Sequence, residues 1–535
     1  MIRTFKDYKG SFTERCDVCV IGSGPGGGVV AKELAEKGRS VVLLEEGGHY
    51  TVDDWDGRPA KGLAMLYRGG GATGTMGNPF ISLTLGKCIG GTSTVNSATC
   101  FRTPGRILKK WRDELGLDTM NEETLNPYFD RVEKIVNVTE LPWDVLGNNA
   151  NIVKRGCDAL GYHCGPLRHN VRDCQGCGPC QFGCPENSKQ SVNVTYIPLA
   201  DRKGARIYAN CRADRVVIEG GSAAGVEATV LDPKTGKGAY TVTVEAKAVV
   251  VSCGAMISPS FLRWSGLENR HIGRHLQIHP AGRVVALMDE VVEGWKGVSQ
   301  GAYVDDFENE GIMLEGVMVH PSLLLAALPG VGPEHKEMAL RYRNLAAFGV
   351  MIHDETEGRV HRGYPPKKGK GILASYMIRR SDTEKLKRGI AYLARIFFAA
   401  GARRVYTSIS RMPVLESMED AGRLLTLRVR PNQIETMAFH PLGTCRMASG
   451  PALGVVDKNG ESFEVKNLYV ADGSIIPSSL GVNPQITIMA VSNLVADAID
   501  ERLGSGGTPG GGKKRGVKKS DPAGGRAGKR PRGRS

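Results

Sequence analysis

The chain has 535 residues, 41% of them apolar and 24% charged, with a formal net charge of +14. That length allows more than one structural unit with sizeable cores. No apolar run reaches the ~18 residues needed to cross a bilayer. The N-terminus, MIRTFKDYKG, has neither an apolar h-region nor a twin arginine, so a transmembrane segment and export are not expected and a cytoplasmic location is. Residues 504–535 hold ten Lys or Arg and one Asp, a net +9 that leaves only +5 for the body. This Gly-, Pro- and Lys-rich tail, placed at 503–535, has no aromatic residue and is expected to be a disordered, solvated extension. Anionic lipid at a membrane surface is within its reach, but nothing in it can stack on bases, so specific nucleic-acid binding is not expected. Thirteen cysteines, an odd count, favour reduced thiols or metal ligands over a disulfide framework.

The first strong pattern runs from Asp17 to Gly48. Val18–Ile21 reads as a buried strand, Gly22, Gly24 and Gly27 follow at G-x-G-x-x-G spacing, Val29–Glu36 reads as a helix, and Val41–Leu44 as a second strand ending at Glu45. The first glycine allows a tight turn, the second a close approach by a pyrophosphate, and the third close packing of helix on strand. The helix N-terminus offers unpaired N–H groups to phosphate, and Glu45 is placed to accept a ribose hydroxyl. Strand, glycines, helix, strand and acid in this order predict a Rossmann-like unit with a bound dinucleotide. A glycine-rich stretch from 51 to 110 follows, containing GKCIGGTSTVN at Gly86–Asn96, whose closely spaced backbone N–H groups suit an anion.

Residues 107–150 read as polar helices. Cys174, Cys177, Cys180 and Cys184 then stand in a C-x2-C-x2-C-x3-C-P run, the spacing with which bacterial ferredoxins bind iron–sulfur clusters. An iron–sulfur cluster, a zinc ion and a metal-free cysteine loop remain the alternatives, and a complete cluster would use Cys184 or a remote thiol such as Cys157 or Cys164. From Arg206 to Ala255 the pattern turns to strands: RIYANC, RVVIEGG, GVEATVLD, YTVTVEA and AVVVSCGA. Residues 286–434 alternate strand-like and helix-like segments. Leu323–Leu328 and Leu345–Met351 are candidates for a greasy pocket, although core packing is the more ordinary role for such runs. His320, His353 and His361 read as structural or surface residues. The last block, Ala438–Ile499, contains AFHPLGTCRM, YVADGSIIP and LGVNPQITIMAVSNLVADAI.

Gly90, Gly91, Thr92, Ser93 and Asn96 resemble the N-terminal signature of the glucose–methanol–choline (GMC) oxidoreductases. Gly254, Ser258, Pro259, Ser265 and Gly266 resemble the second signature, with departures at Phe261 and Glu268, and the last block resembles the C-terminal region. The resemblance covers nearly all of residues 15–502. It implies an α/β fold: a discontinuous Rossmann-like FAD-binding domain over 14–285 with a Cys-rich insertion at 157–185, an α+β substrate-binding domain over 286–434, and a C-terminal FAD and catalytic segment over 435–502. It implies FAD, with the Gly86–Asn96 loop beneath the flavin, adenine near the backbone of Val216, and Asp472 and Gly473 at the ribityl–pyrophosphate region. With no histidine in Thr92–Phe101, the FAD is expected to be non-covalent.

By the same resemblance His440 stands at the catalytic histidine and Asn483 at its His/Asn partner. The residue types suit alcohol oxidation. Imidazole accepts a proton near neutrality, and an amide NH2 holds the alcohol oxygen as charge develops on it. The Cys-rich insertion and Asn483–Pro484 lean towards the long-chain alcohol group, so apolar primary alcohols are the expected substrates. The acceptor would be oxygen or an electron carrier. A sterol oxidase and a lyase that keeps FAD only structurally are the alternatives.

Overall fold

The computed structural model describes residues 2–362 and 372–504. The basic extension beyond Gly504 lies outside the described residues, so the expectation of disorder there is not addressed.

Apolar, β-branched runs organise the first sheet. Val18–Ile21 and Val41–Leu44 are almost fully buried, as strands covered on both faces must be. The strand Phe12–Ile21 lies between Val41–Leu44 and Gly238–Val251, parallel to both. Arg206–Tyr208 and Ile2–Arg3 extend the parallel run beyond Val41–Leu44. Gly238–Val251 changes partner along its length. Its first half pairs antiparallel with Ser222–Leu231, which pairs with Cys211–Glu219, while Val249–Val251 pairs parallel with Leu468–Val470. The two strand segments expected separately at YTVTVEA and AVVVSCGA are thus one 14-residue strand, because the Ala246–Ala248 link keeps the apolar alternation. Helices Pro25–Glu36 and Gln485–Gly504 pack on each other over this sheet, with Glu122–Ile135 behind the second.

The second sheet, largely antiparallel, is built on Ala281–Leu287, Leu345–Ile352 and Ile312–Gly316. It is widened by Ala302–Val304 and Gly165–Pro166 at one side and by Met437–Ala438 and Ile81–Leu83 at the other. Its strands therefore come from well outside 286–434, and Ala281–Leu287 runs across the boundary expected at 285/286. Helices Arg380–Ala399 and Asn148–Leu160 pack against this sheet and each other, and Met418–Thr426 packs on Arg380–Ala399. The two sheets carry separate apolar cores.

The first helix begins at Pro25, four residues earlier than its apolar pattern suggested, so Gly26, Gly27 and Gly28 lie inside it. Proline suits the first helical position because its missing N–H would have no intrahelical partner there. The glycines are needed because other backbones touch this turn. A Cβ at Gly26 would overlap Ala471 O, and one at Gly27 would overlap Gly22 O. Gly26→Ala is expected to destabilise the fold by on the order of 3 kcal/mol, an overpacking cost against rigid backbone. Gly422, in the helix Met418–Thr426, has open space at its Cβ position, so Gly422→Ala should be neutral or stabilise by up to ~1 kcal/mol. Urea unfolding of the pair checks the contrast; equal effects would refute the packing argument.

Candidate active site

One cavity of about 690 Å³ is lined by residues of both sheets, a size within the roughly 300–1,000 Å³ of cofactor and ligand sites. At one end, Gly22 turns the chain out of its strand at φ +98° and donates its N–H to Leu44 O at 2.8 Å. Gly24 caps the helix that starts at Pro25, and Gly24, Pro25 and Gly26 form cavity wall. The positive end of that helix and its free N–H groups thus face the cavity. The second glycine loop lies directly on the first: a Cβ at Gly91 would stand 2.8 Å from Gly24 Cα. Ser23 joins them, its Oγ donating to Glu45 Oε2 at 2.7 Å and accepting from Gly90 N at 3.1 Å. These are backbone cradles that only glycine permits, and they fit a dinucleotide pyrophosphate.

Of the residues singled out in the sequence, Gly22, Gly24, Glu45, Gly91, Thr92, Asn96, Asp472, Gly473, His440 and Asn483 line the cavity. Glu45 also accepts from Ser23 N at 3.0 Å and Gly47 N at 2.8 Å. Burial pushes its carboxyl up, against the pull of these bonds. Asp472 is buried and raised in the same way, and its Oδ2 accepts from Gly254 N at 2.8 Å and from Ser258 Oγ. That knot accounts for Gly254 and Ser258 in the second signature.

Four residues stand elsewhere. Gly27 packs helix on strand, as the third glycine of the motif should. Gly90 holds a turn at φ +92°, and Ser93 braces it by donating to Gly90 O at 2.7 Å while accepting from Val192 N at 3.1 Å. Val216 is outside the cavity wall, and it donates its N–H to Ser265 Oγ at 3.0 Å. Arg212 and Ala213 form the wall there instead. A register irregularity between Ala213 and Arg215 intervenes, and such a bulge is invisible to a strand pattern.

At the far end, His440 follows the short strand Met437–Ala438, and Asn483 precedes the helix Gln485–Gly504. Asn483 Nδ2 lies 3.4 Å from His440 Nε2. The His440 ring shows part of its surface to the cavity but is enclosed by protein, and burial pushes its pKa down to about 4, so it is neutral and able to accept a proton at pH 7. His279 packs edge-on against it, with ring centroids 5.2 Å apart. His279 Nε2 accepts from Leu480 N and Gly481 N, both at 2.9 Å, which fixes the loop leading to Asn483. His279 itself sits at φ +49°, a conformation a non-glycine residue adopts only when its surroundings enforce it.

The pattern missed Ser23, Arg68, Arg212, His279, Gln300 and Glu315, all of which line the cavity. Only Glu315 carried a usable signal, as a lone acid in the apolar stretch IMLEGVMV. His320, His353 and His361 are not in the cavity wall. Of the two apolar runs, Leu345–Met351 contributes Gly349, Val350 and Met351 to the wall, while Leu323–Leu328 does not.

The four thiols of the cysteine run are not brought together as a metal site in this structure. Among the described residues no three His, Cys, Asp or Glu side chains are arranged to hold a metal ion. Cys174, Cys177, Cys180 and Cys184 border a space of about 20 Å³, room for roughly one water and not for a cluster. The cation in this loop is Lys189, whose Nζ donates to Thr94 O, Asn96 O and Cys180 O at 2.7–2.8 Å.

The GMC oxidoreductase family models match residues 63–281 (N-terminal domain) and 354–492 (C-terminal domain). The chain is a GMC oxidoreductase. Family membership makes it an oxidoreductase. A GMC-type oxidoreductase of Mycobacterium tuberculosis is 37% identical over 90% of this chain and 75% of its own length. A long-chain-alcohol oxidase of Arabidopsis thaliana is 28% identical over 92% of this chain and 69% of its own. The formate oxidase of Aspergillus oryzae RIB40, described with a modified FAD, superposes with a TM-score of 0.71 at 16% identity, over 93% of this chain and 100% of its own. At that identity the likeness concerns the fold. Among the described residues no helix is long and apolar enough to cross a membrane.

Lys189 ties the Cys-rich insertion to the loop that carries Thr92 and Asn96. Lys189→Met would leave three carbonyls without a donor, at about 1–3 kcal/mol for each that stays buried. The expected result is a lower unfolding midpoint together with weaker retention of flavin on dialysis; a variant with unchanged flavin retention would show that the tether does not shape the cofactor loop.

Proposed function

We propose that this GMC oxidoreductase binds FAD non-covalently in the glycine-lined part of the cavity and oxidises long-chain, apolar primary alcohols. The fit of the cofactor rests on the Gly22–Gly26 and Gly91 cradle, the helix N-terminus at Pro25, and Glu45 and Asp472 in the wall. Ser97 and Thr99 represent the segment 92–101 in the wall beside Thr92, Val95 and Asn96, while the Cys100 thiol is turned to Ala98 O and Asn170 Oδ1. No thiol or imidazole of that segment is offered to the cavity, in keeping with a non-covalent cofactor. When bound, the flavin supplies the hydride acceptor.

The observation that carries the reading is the meeting of His440 Nε2 and Asn483 Nδ2, 3.4 Å apart, in the same cavity as the cradle. Neutral His440 takes the hydroxyl proton. Asn483 Nδ2 donates to the alcohol oxygen and stabilises its developing charge. His279 keeps the His440 ring and the Asn483 loop in register. Val317, Val319, Met351, Met437 and Phe439 give the remaining wall its apolar character, which suits an alkyl chain better than a polyol. The Arabidopsis thaliana relative, a long-chain-alcohol oxidase by name, supports this substrate class and oxygen as the acceptor.

An anaerobic absorption spectrum before and after addition of a long-chain primary alcohol tests the reading, with bleaching of the flavin bands as the expected result. His440→Ala should slow flavin reduction by about 10²–10⁴-fold, and Asn483→Ala by about 10²–10³-fold, with flavin still bound in both. Flavin that stays oxidised with the alcohol but bleaches with a sterol would move the substrate class. Full reduction in His440→Ala would remove the proposed base.

A further inference from the structure

A buried acid in the cavity has no role in the reaction described so far. Glu315 lies in the strand Ile312–Gly316, 3% exposed, with its side chain in the cavity wall. Its Oε2 is met by Gln300 Nε2 at 3.4 Å. Its Oε1 is buried without a hydrogen-bond partner, and so is Asn483 Oδ1. The Asn483 side chain is within hydrogen-bonding reach of this carboxyl. Asn483 therefore stands between His440 and Glu315. A buried carboxyl oxygen with no donor is costly to hold ionised.

The titratable groups on the segments around Glu315 are His440, His279, His169, whose Nε2 meets Gln300 O at 2.7 Å, and Tyr303, opposite on the neighbouring strand. None forms an ion pair with it. Burial raises its pKa to about 7, against the pull of the Asn483 amide, which favours the carboxylate. The same burial lowers His440 to about 4. Near neutrality the group that holds a proton at this end of the cavity is thus the acid and not the imidazole, and pairs pushed apart in this way mark separate acid and base roles.

We propose that Glu315 is a third catalytic residue, held as the neutral acid and donating a hydrogen bond from its carboxyl O–H to the alcohol oxygen beside Asn483 Nδ2. The hydroxyl proton goes to His440 Nε2, the α-hydrogen leaves with its electron pair as hydride, and Glu315 keeps its own proton throughout. Ionised, Glu315 would set a second negative charge beside the developing alkoxide, so the carboxylate form is inactive. The inference rests on the alcohol-oxidation reading above.

The test is the pH dependence of anaerobic flavin reduction by a long-chain primary alcohol, in the FAD-loaded wild-type protein and in Glu315→Gln. The glutamine has nearly the shape of the neutral acid, keeps a hydrogen-bond donor and cannot ionise. Above about pH 7 the wild-type rate should fall about tenfold per pH unit, and the Gln variant should stay level. Near pH 6 the two should agree within about tenfold. An infrared difference spectrum between about pH 5 and about pH 9 supplies a readout independent of turnover: a protonated-carboxyl band present in the wild type and missing from the variant. An alkaline limb that survives in Glu315→Gln, a rate that rises through pH 7 in the wild type, or no such infrared band would each overturn the assignment. Bound flavin that no alcohol reduces would sink the underlying reading instead.

Discussion

The site depends on backbone meeting backbone with no side chain between. Gly26 lies against Ala471, Gly22 against Ser252, and Gly91 against Gly24, and these contacts join parts of the chain up to some 450 residues apart. They bring the first helix's N-terminus, the second glycine loop, the strand end at Val251 and the Asp472 turn to one point. A single added methyl at any of them displaces a main chain that is itself hydrogen-bonded into a sheet or turn. Interiors this dense transmit such displacements instead of absorbing them. The glycine spacing therefore sets cavity shape as much as phosphate access.

Buried polar knots do the corresponding work on the side of the second sheet. Asp354 is fully buried, accepts from Ile278 N, His279 N and the Tyr376 hydroxyl, and lies beside Gln277, whose Oε1 accepts from Ser479 N at 2.8 Å. His279 then fixes Leu480 and Gly481. One connected set of hydrogen bonds thus runs from Gln277, Ile278 and His279, just before the strand Ala281–Leu287, to Ser479, Leu480 and Gly481 ahead of Asn483, and it holds the positive φ of His279 in place. The His440–Asn483 geometry is set by residues that do not themselves touch an alcohol.

The sequence made the α/β class, the Rossmann order and most of the cradle legible, because those features are local: strand, turn, helix and strand lie within residues 17–48. The pair proposed as catalytic was legible only through family resemblance, since nothing in the spacing of His440 and Asn483 requires them to meet. What stayed hidden depends on three-dimensional placement. The register irregularity between Ala213 and Arg215, beside the wall residues Arg212 and Ala213, leaves no mark in a strand pattern, and the start of the first helix was masked by three glycines of low helix propensity. Glu315 stands out as a lone acid in an apolar stretch, but His279 follows His275 and Gln277 in a mixed segment, and only burial distinguishes it from an ordinary surface position.

The Cys-rich insertion shows how a spacing can be satisfied without its chemistry. Ligand spacing states which thiols can converge, not that they do. Here Gly176, Gly178 and Gly183 all take positive φ, so the run folds as successive tight turns, and backbone carbonyls converge where thiolates would be needed. A buried ammonium at Lys189 fills that role, with its donors matched to Thr94, Asn96 and Cys180. Burial lowers its pKa to about 8, still above neutrality, so the ammonium persists among the carbonyls it donates to. An ammonium is a weaker and more easily lost tie than a metal, but it needs no delivery and no redox poise. Because two of its three acceptors belong to the flavin loop, the insertion acts as a brace on the cofactor side of the cavity, independent of the His440, Asn483 and Glu315 end.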